Sequence, residues 1–419
     1  MGRFAVWALF ALVLVASPLV FSSSLALTML SQMGYLILIC LSYNILLGQG
    51  GMLSFGHAVY TGLGGFIAIH AMNLAGQGVW RVPLVLVPLV GGAAGLLCAA
   101  LLGFVSTRKA GTPFSMITLG LGELVAAMAL MFPEFFGGEG GITTNRVYGS
   151  AFMGITFGPA IQVYYLIAAY CFMGTAAMFA FTGTPLGRLL NAVRDNPERV
   201  EFIGYNPQRV RHLAFTMAGF FAGVGGALAA IHFEIVTGAD SFSMARSGSY
   251  LLFTFLGGAA FFAGPIIGAV LLVLATVLLS EWSQAWLLYL GLVFLGMVMY
   301  APGGVASLVM ALVRLARRGQ LRALVPACLA LAGAALLALL GAACMIEMVY
   351  HLQRNAALGP QLTFLGATLD ASALVSWLGA AGVLLTGAGL FALCQRQWAR
   401  QWSQLQLGST HTTPHTEEP

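Results

Sequence analysis

Along this chain, apolar stretches of about 18 residues or more alternate with short polar breaks. Each is long enough to cross a hydrocarbon core ~30 Å thick. The pattern predicts spans at 4–21, 25–47, 52–74, 82–106, 112–133, 162–183 and 209–235. The run 249–280 is too long for one span. Gly264-Pro265 divides it into helices at 249–263 and 266–280, and at ~1.5 Å per residue the first is shorter than the core. This pair either crosses twice or is re-entrant, with its turn at membrane depth. A span at 284–300 ends at Pro302-Gly303-Gly304, and two more runs follow at 323–349 and 372–394. The run 4–21 lacks a small-x-small cleavage site, so it reads as a first span rather than a signal peptide. Past Trp402 the apolar period stops, and 396–419 is expected to be a disordered tail.

The longest polar segment before that tail is 184–212. Pro185 suits the first turn of a helix running to about Arg194. Asp195 or Asn196 caps a second helix, with Pro197 at its first position and Glu198 where the helix dipole favours an anion. Gly204 suits that helix's end, and Asn206-Pro207 repeats the start signal before a long apolar helix. The chain thus leaves the membrane, makes a helix–turn–helix at the surface and returns. The exposed faces of the pair are expected to mix Leu189, Val193, Val200 and Ile203 with arginines.

Charge sets the sidedness. Only 7% of residues are charged. With twelve crossings and both termini inside, the inner side takes fourteen basic residues: Arg3, Arg108, Lys109, the five arginines of 188–211, Arg314, Arg317, Arg318, Arg322, Arg396 and Arg400. The outer side takes Arg81, Arg146, Arg246 and Arg354. That bias is the one cytoplasmic loops carry, so the net charge of +5 reports topology and not nucleic-acid binding. Cys40, Cys98, Cys171, Cys328, Cys344 and Cys394 lie in or beside apolar runs without a C-x-x-C pair, so no metal or cofactor site is expected. The chain has no G-x-x-x-x-G-K-[ST], H-E-x-x-H or G-x-S-x-G motif. An ATP site and the common hydrolytic chemistries are therefore not encoded.

Three stretches place polar or helix-breaking residues inside spans. In 44–65, glycines at 48, 50 and 51 interrupt the helix beside Asn44, Gln49, Ser54, Gly56 and His57. Irregular backbone at that depth must face protein or a water-filled cavity. Either a translocation path or a tight helical hairpin satisfies this, and His57 alone fits an interior histidine. In 118–125, T-L-G-L-G-E-L-V sets Thr118 and Glu123 near the middle of a span, where a carboxylate needs a partner or water. In 249–268, Gly257-Gly258 and Gly264-Pro265 break a second apolar pair and weakly echo the first. Gly219-x-x-x-Gly223 and Gly264-x-x-x-Gly268 read as helix contacts.

These residues carry a resemblance. G-R-L-L-N-A-V-R-D-N-P-E-R-V-E-F-I-G at 187–204 looks like the cytoplasmic coupling segment of ABC-transporter permeases of the branched-chain amino acid family. The N…G-Q-G-G-M-L-S-F-G-H-A run and G-G-x-x-x-x-x-G-P-x-x-G resemble further elements of this family, T-L-x-x-x-E resembles its LivM type, and the resemblance covers roughly residues 25–310. F-F-G-G-E-G-G-I at 135–142 is similar to the family's T-G-G-x-x-G-I, with Phe135-Phe136 in place of the polar start. Glu139 there either touches a soluble binding protein or is a solvated loop charge.

The resemblance implies an all-α integral membrane protein: a polytopic helical bundle with broken or re-entrant helices and a cytoplasmic coupling helix pair at 186–204. It implies a permease domain over 1–310 and leaves 311–395 as an appended two-span hairpin, with Glu347 and Asp370 near the ends of its helices. ATPase coupling falls to Gly187, Arg188, Val193, Arg194, Asp195, Asn196, Pro197 and Gly204. The path falls to Asn44, Gly48, Gly50, Gly51, Ser54, Gly56, His57, Thr118, Glu123, Gly257 and Gly258. Expected partners are two ABC ATPase subunits, a second permease, a periplasmic substrate-binding protein, an amino acid substrate and the lipid bilayer, with no nucleic acid. The alternatives are an ion-coupled secondary transporter using Glu123 or His57, an ABC permease for urea or short amides, and a membrane enzyme. The last lacks a cluster of catalytic polar groups. A coupling pair has no use in an ion-driven carrier.

Overall fold

The computed structural model describes residues 3–80, 82–148, 156–283, 285–300, 303–317, 321–354, 361–364 and 367–408. Two compact units divide the chain: Met1–Leu278 with Phe294–Ser307, and Leu279–Val293 with Leu308–Pro419.

The first unit is helical apart from one short strand pair. It opens with α1 (Arg3–Val20), α2 (Ser24–Asn44), α3 (His57–Gly76), α4 (Val87–Ser106), α5 (Thr112–Met131) and α6 (Ala160–Gly183). The surface pair is α7 (Pro185–Asp195) and α8 (Pro197–Phe202), followed by α9 (Pro207–Phe233). A hairpin of α10 (Met244–Gly257) and α11 (Gly264–Leu274) comes next.

The central helix is α9, packed on α2, α3 and α4. Small residues bring these backbones together. A Cβ on Gly223 would lie 3.0 Å from Gly95 Cα, and one on Gly64 would lie 2.5 Å from Gly223 Cα. In a bilayer, where burial of apolar surface does not drive helices together, such close van der Waals contact does. Outside the helices, β1 (Ile142–Thr143) pairs antiparallel with β2 (Ile235–Val236). Arg146 clamps the loop there, its Nε donating to the Phe157 carbonyl at 2.9 Å and its backbone N to Glu234 Oε1 at 2.9 Å. His70 Nε2 donates to the Phe135 carbonyl at 2.8 Å, and Phe136 is buried against Phe66 and Phe242. The glycine-rich loop after Phe136 is thus fastened at its start, while Glu139 is exposed.

Among the described residues, eight helices are long and apolar enough to cross a membrane. Six lie in the first unit and two in the second. The other four predicted spans yield shorter helices: Phe4–Val20, α10 with 14 residues, Gly264–Leu279, and α12 (Trp286–Tyr300) with 15. For the 249–280 pair the reason lies in its break. α10 ends at Gly258, whose φ of +114° only glycine adopts without strain, and α11 packs back against it. The two arms measure ~21 Å and ~24 Å, both short of the hydrocarbon core.

The second unit is built on α14 (Leu321–Arg354) and α15 (Leu374–Gly408), which follow α13 (Gly304–Arg317). The two long helices touch where a Cβ on Gly341 or Gly387 would lie 2.7 Å from the Cα of Leu384 or Ala338. Between them β3 (Gln361–Phe364) and β4 (Ala367–Asp370) form an antiparallel hairpin. Met348, Ala371 and Ala380 form a small core there, and Trp377 Nε1 donates to the Ala371 carbonyl at 2.9 Å. Glu347, inside the apolar part of α14, accepts hydrogen bonds from Tyr289 Oη at 2.9 Å and from Ser283 Oγ. α15 continues through 396–408, and 409–419 lie outside the described residues.

Candidate functional site

The interruption after α2 is a built structure. Asn44 runs into a π-helical turn, Ile45–Gln49, and Gly51 follows in the left-handed region at φ +62°. The chain then lies irregular until α3 starts at His57. Side chains from distant elements satisfy its loose backbone groups. Ser115 Oγ donates to the Leu53 carbonyl at 2.7 Å, and Tyr43 Oη to the Ser54 carbonyl at 2.8 Å. The Phe55 N–H donates to Thr118 Oγ1 at 3.2 Å, and the Ala58 N–H to Ser247 Oγ at 3.0 Å. Ser42 Oγ and His57 Nε2 share a 2.9 Å hydrogen bond. Helices α2, α5 and α10 thereby do for this segment what water would do outside a membrane. Gly56 lies against the Thr118 carbonyl, with no room for a Cβ.

The two broken segments meet. Gly48 faces the Ala259 carbonyl in the α10–α11 turn on one side and Asn44 Oδ1 on the other. Gly257 lies against Gly264 and Gly268, where a Cβ would be 2.7 Å from the Gly268 nitrogen. Gly258 in turn faces Gly303 and Gly304. The weak sequence echo between 47–62 and 249–268 therefore corresponds to a contact.

The surface pair starts and stops where its punctuation predicts. Pro185 and Pro197 open α7 and α8. Asn196, not Asp195, is the cap of α8, accepting from the Arg199 N–H at 3.0 Å. Gly204 takes φ +89° just past the end of α8. Asn206 caps α9 through the Gln208 and Arg209 N–H groups.

The facing of the pair corrects the expectation. Val193 and Val200 are 4% and 2% exposed, so neither stands on an outer face. Gly187, Leu190 and Val193 form an inward stripe on α7, packed on α9, α6 and the π turn. The bundle itself supplies the apolar partner that the stripe required. Arg188, Asp195, Asn196, Pro197 and Glu198 stay exposed. So do three residues the apolar periodicity did not single out together: Phe202 at 90%, Ile203 at 63% and Tyr205 at 50%. Their signal was their position around Gly204, outside the helical stripe.

The structure also joins the surface pair to the break. Arg194 NH1 donates to the Gly48 carbonyl, and Nε donates to Asp195 Oδ1 at 3.0 Å. A Cβ on Gly51 would lie 2.8 Å from Arg194 Cγ, and one on Gly50 would lie 3.2 Å from Leu190 Cδ1.

Of the polar residues expected along a path, Asn44, Ser54, His57 and Thr118 are buried inside the bundle. Asn44 Oδ1, Gln49 Oε1, Ser54 Oγ and His57 Nδ1 have no hydrogen-bond partner, four of seven such buried side-chain atoms among the described residues. Each such atom costs about 1–3 kcal/mol, so their concentration in 44–57 marks a segment held at some expense. Glu123 is different. It is exposed on α5. Among the described residues no group of three or more His, Cys, Asp or Glu side chains could hold a metal ion.

A family model described as "Branched-chain amino acid transport system / permease component" matches residues 25–302. Two relatives are each 29% identical over 289 residues, covering 64% of this chain and 67% of the relative. Both are named high-affinity branched-chain amino acid transport system permease protein LivM, one from Salmonella typhimurium and one from Escherichia coli. No solved structure matches the chain. Because the family match takes in more than half of the chain, from α2 to the end of α12, this protein belongs to the permease component family of branched-chain amino acid transport systems.

Proposed function

We propose that this chain is one of two different permease subunits in an inner-membrane ABC importer for branched-chain or other apolar amino acids. Two cytoplasmic ATPase subunits and a periplasmic substrate-binding protein complete the complex. As a permease component the chain is a transport subunit, and ATP is hydrolysed on separate subunits. Both termini, α7 and α8 face the cytoplasm, as the fourteen inner basic residues favour. The permease domain is 1–310, and 311–395 is an appended hairpin.

The observation that carries this reading is that Phe202, Ile203 and Tyr205 are exposed on the same capped helix pair and its end as the exposed Arg188, Glu198 and Arg199. Aromatic and arginine anchors around an apolar centre are what a protein groove recognises. The trio docks the ATPase subunit. ATP then shifts the bundle between outward- and inward-open states because it binds the two states differently. The path opens at the break, where the unpaired acceptors at Asn44, Gln49 and Ser54 meet water or the ammonium of a passing amino acid. Glu123 and the outer face of α5 meet the second permease. Against acyl chains that carboxylate would cost about 2.5–3.5 kcal/mol.

Phe202→Asp tests the docking reading in the co-expressed complex. Loss of an interface anchor costs about 2 kcal/mol or more. Recovery of the ATPase with the permease should fall by ~30-fold, with the permease's own amount in the membrane unchanged. Full recovery with normal uptake would reduce 184–206 to a topology loop.

A further inference from the structure

We propose that Arg194 is a positioning residue for transport, tying the docking pair to the broken segment so that movement of α7 is delivered to Gly48–Gly51. The inference rests on the reading of α7 and α8 as the ATPase-docking pair.

Three contacts carry it. The Arg194 guanidinium donates to the Gly48 carbonyl, across 146 positions of sequence. The aliphatic stem of the same side chain lies over Gly51, where an added Cβ would be 2.8 Å from Cγ and 3.4 Å from Cδ. One turn earlier, Leu190, fully buried, packs against Gly50. So α7 grips the break at three successive points, with an apolar contact, a stem contact and a charge-assisted hydrogen bond, the last being of the stronger kind. Among the described hydrogen bonds of the pair, the one to the break comes from Arg194.

The far side of the break sets the consequence. Gly48 also bears on the Ala259 carbonyl of the α10–α11 turn. A pull on the Gly48 carbonyl therefore acts where the two broken segments touch. A docking helix without this tie would still bind its ATPase, but its displacement would be taken up by bending of the 184 and 196 joints.

The test uses the whole importer in proteoliposomes, with Arg194→Ala and Arg194→Lys. For Arg194→Ala we expect the ATPase subunit still to co-purify with the permease. Substrate uptake should fall by about tenfold or more, the scale of a charged hydrogen bond lost. Stimulation of hydrolysis by the loaded binding protein should fall with it. Lysine keeps one charged donor and should restore part of both. Unchanged uptake and stimulation in Arg194→Ala would overturn the proposal and leave docking untouched. Loss of the ATPase subunit, or of the permease from the membrane, would make Arg194 a docking or folding residue and overturn it equally. Phe202→Asp reports on the docking reading separately, so failure of one is not failure of the other.

Discussion

Gly48→Ala should abolish uptake while the permease still inserts and still retains its ATPase. The added methyl has nowhere to go, because its carbon would overlap the Ala259 carbonyl and Asn44 Oδ1 together. One of these is backbone of a tight hairpin turn. The other belongs to a residue 3% exposed in the end of α2. Relief requires the two broken segments to part. Overpacking of this kind costs about 1–3 kcal/mol, a modest share of the ~5–15 kcal/mol that holds a domain together. The bundle therefore survives and the junction does not. Uptake should drop by ~100-fold, since about 3 kcal/mol at the moving joint corresponds to that ratio. Gly333→Ala is the control, with nothing within 4 Å of its added carbon, and it should transport normally. Normal uptake by Gly48→Ala would mean that the contact between the breaks is incidental.

Val193→Asp should be the most damaging single change in the surface pair, through folding and not through recognition. The side chain is 4% exposed, on the stripe that seats α7 on the bundle. A carboxylate buried there without a partner costs about 3–5 kcal/mol. The segment 184–206 should come loose, become open to limited proteolysis in membrane vesicles, and lose both ATPase and uptake. Val193→Ala removes only two methyl groups, about 2 kcal/mol, and should keep the segment protected. The contrast with Phe202→Asp is what matters. That variant is expected to lose the ATPase while its segment stays resistant to protease. If Val193→Asp vesicles stay protease-resistant, the stripe does not hold α7 in place.

The helix pair was legible to within a residue because its signals are local. Pro185, Asn196, Pro197, Gly204 and Asn206-Pro207 each act through their own backbone angle or a hydrogen bond two or three positions away. Which way the pair faces was not legible. An apolar stripe states that a partner exists, and the sequence cannot say whether that partner is the chain's own bundle or another protein. Hence Val193 and Val200 were assigned outward, and Phe202 was overlooked. At the break, Gly48, Gly50 and Gly51 announced irregular backbone, since glycine runs do so in any apolar helix. Its hydrogen-bond donors and acceptors at Thr118, Ser115 and Ser247 lie 62 to 189 positions away and follow no local rule. The reach of the 249–280 arms was less legible, for a related reason. Hydropathy measures how long an apolar run is, whereas Gly258 and Gly264-Pro265 decide how far it extends in space.

The carboxylate of Glu347 bears on how the chain is made. α14 has to enter the bilayer carrying an acidic side chain in its apolar part, a burden for any helix leaving the insertion machinery alone. Its two hydroxyl donors, Ser283 and Tyr289, lie earlier in the sequence and have already been synthesised when Glu347 emerges. The hairpin of α14 and α15 thus finds its polar partners waiting, and integration of the last quarter of the chain depends on the segment just before it. A version of this protein that began after residue 300 would have to bring Glu347 into lipid without these two donors.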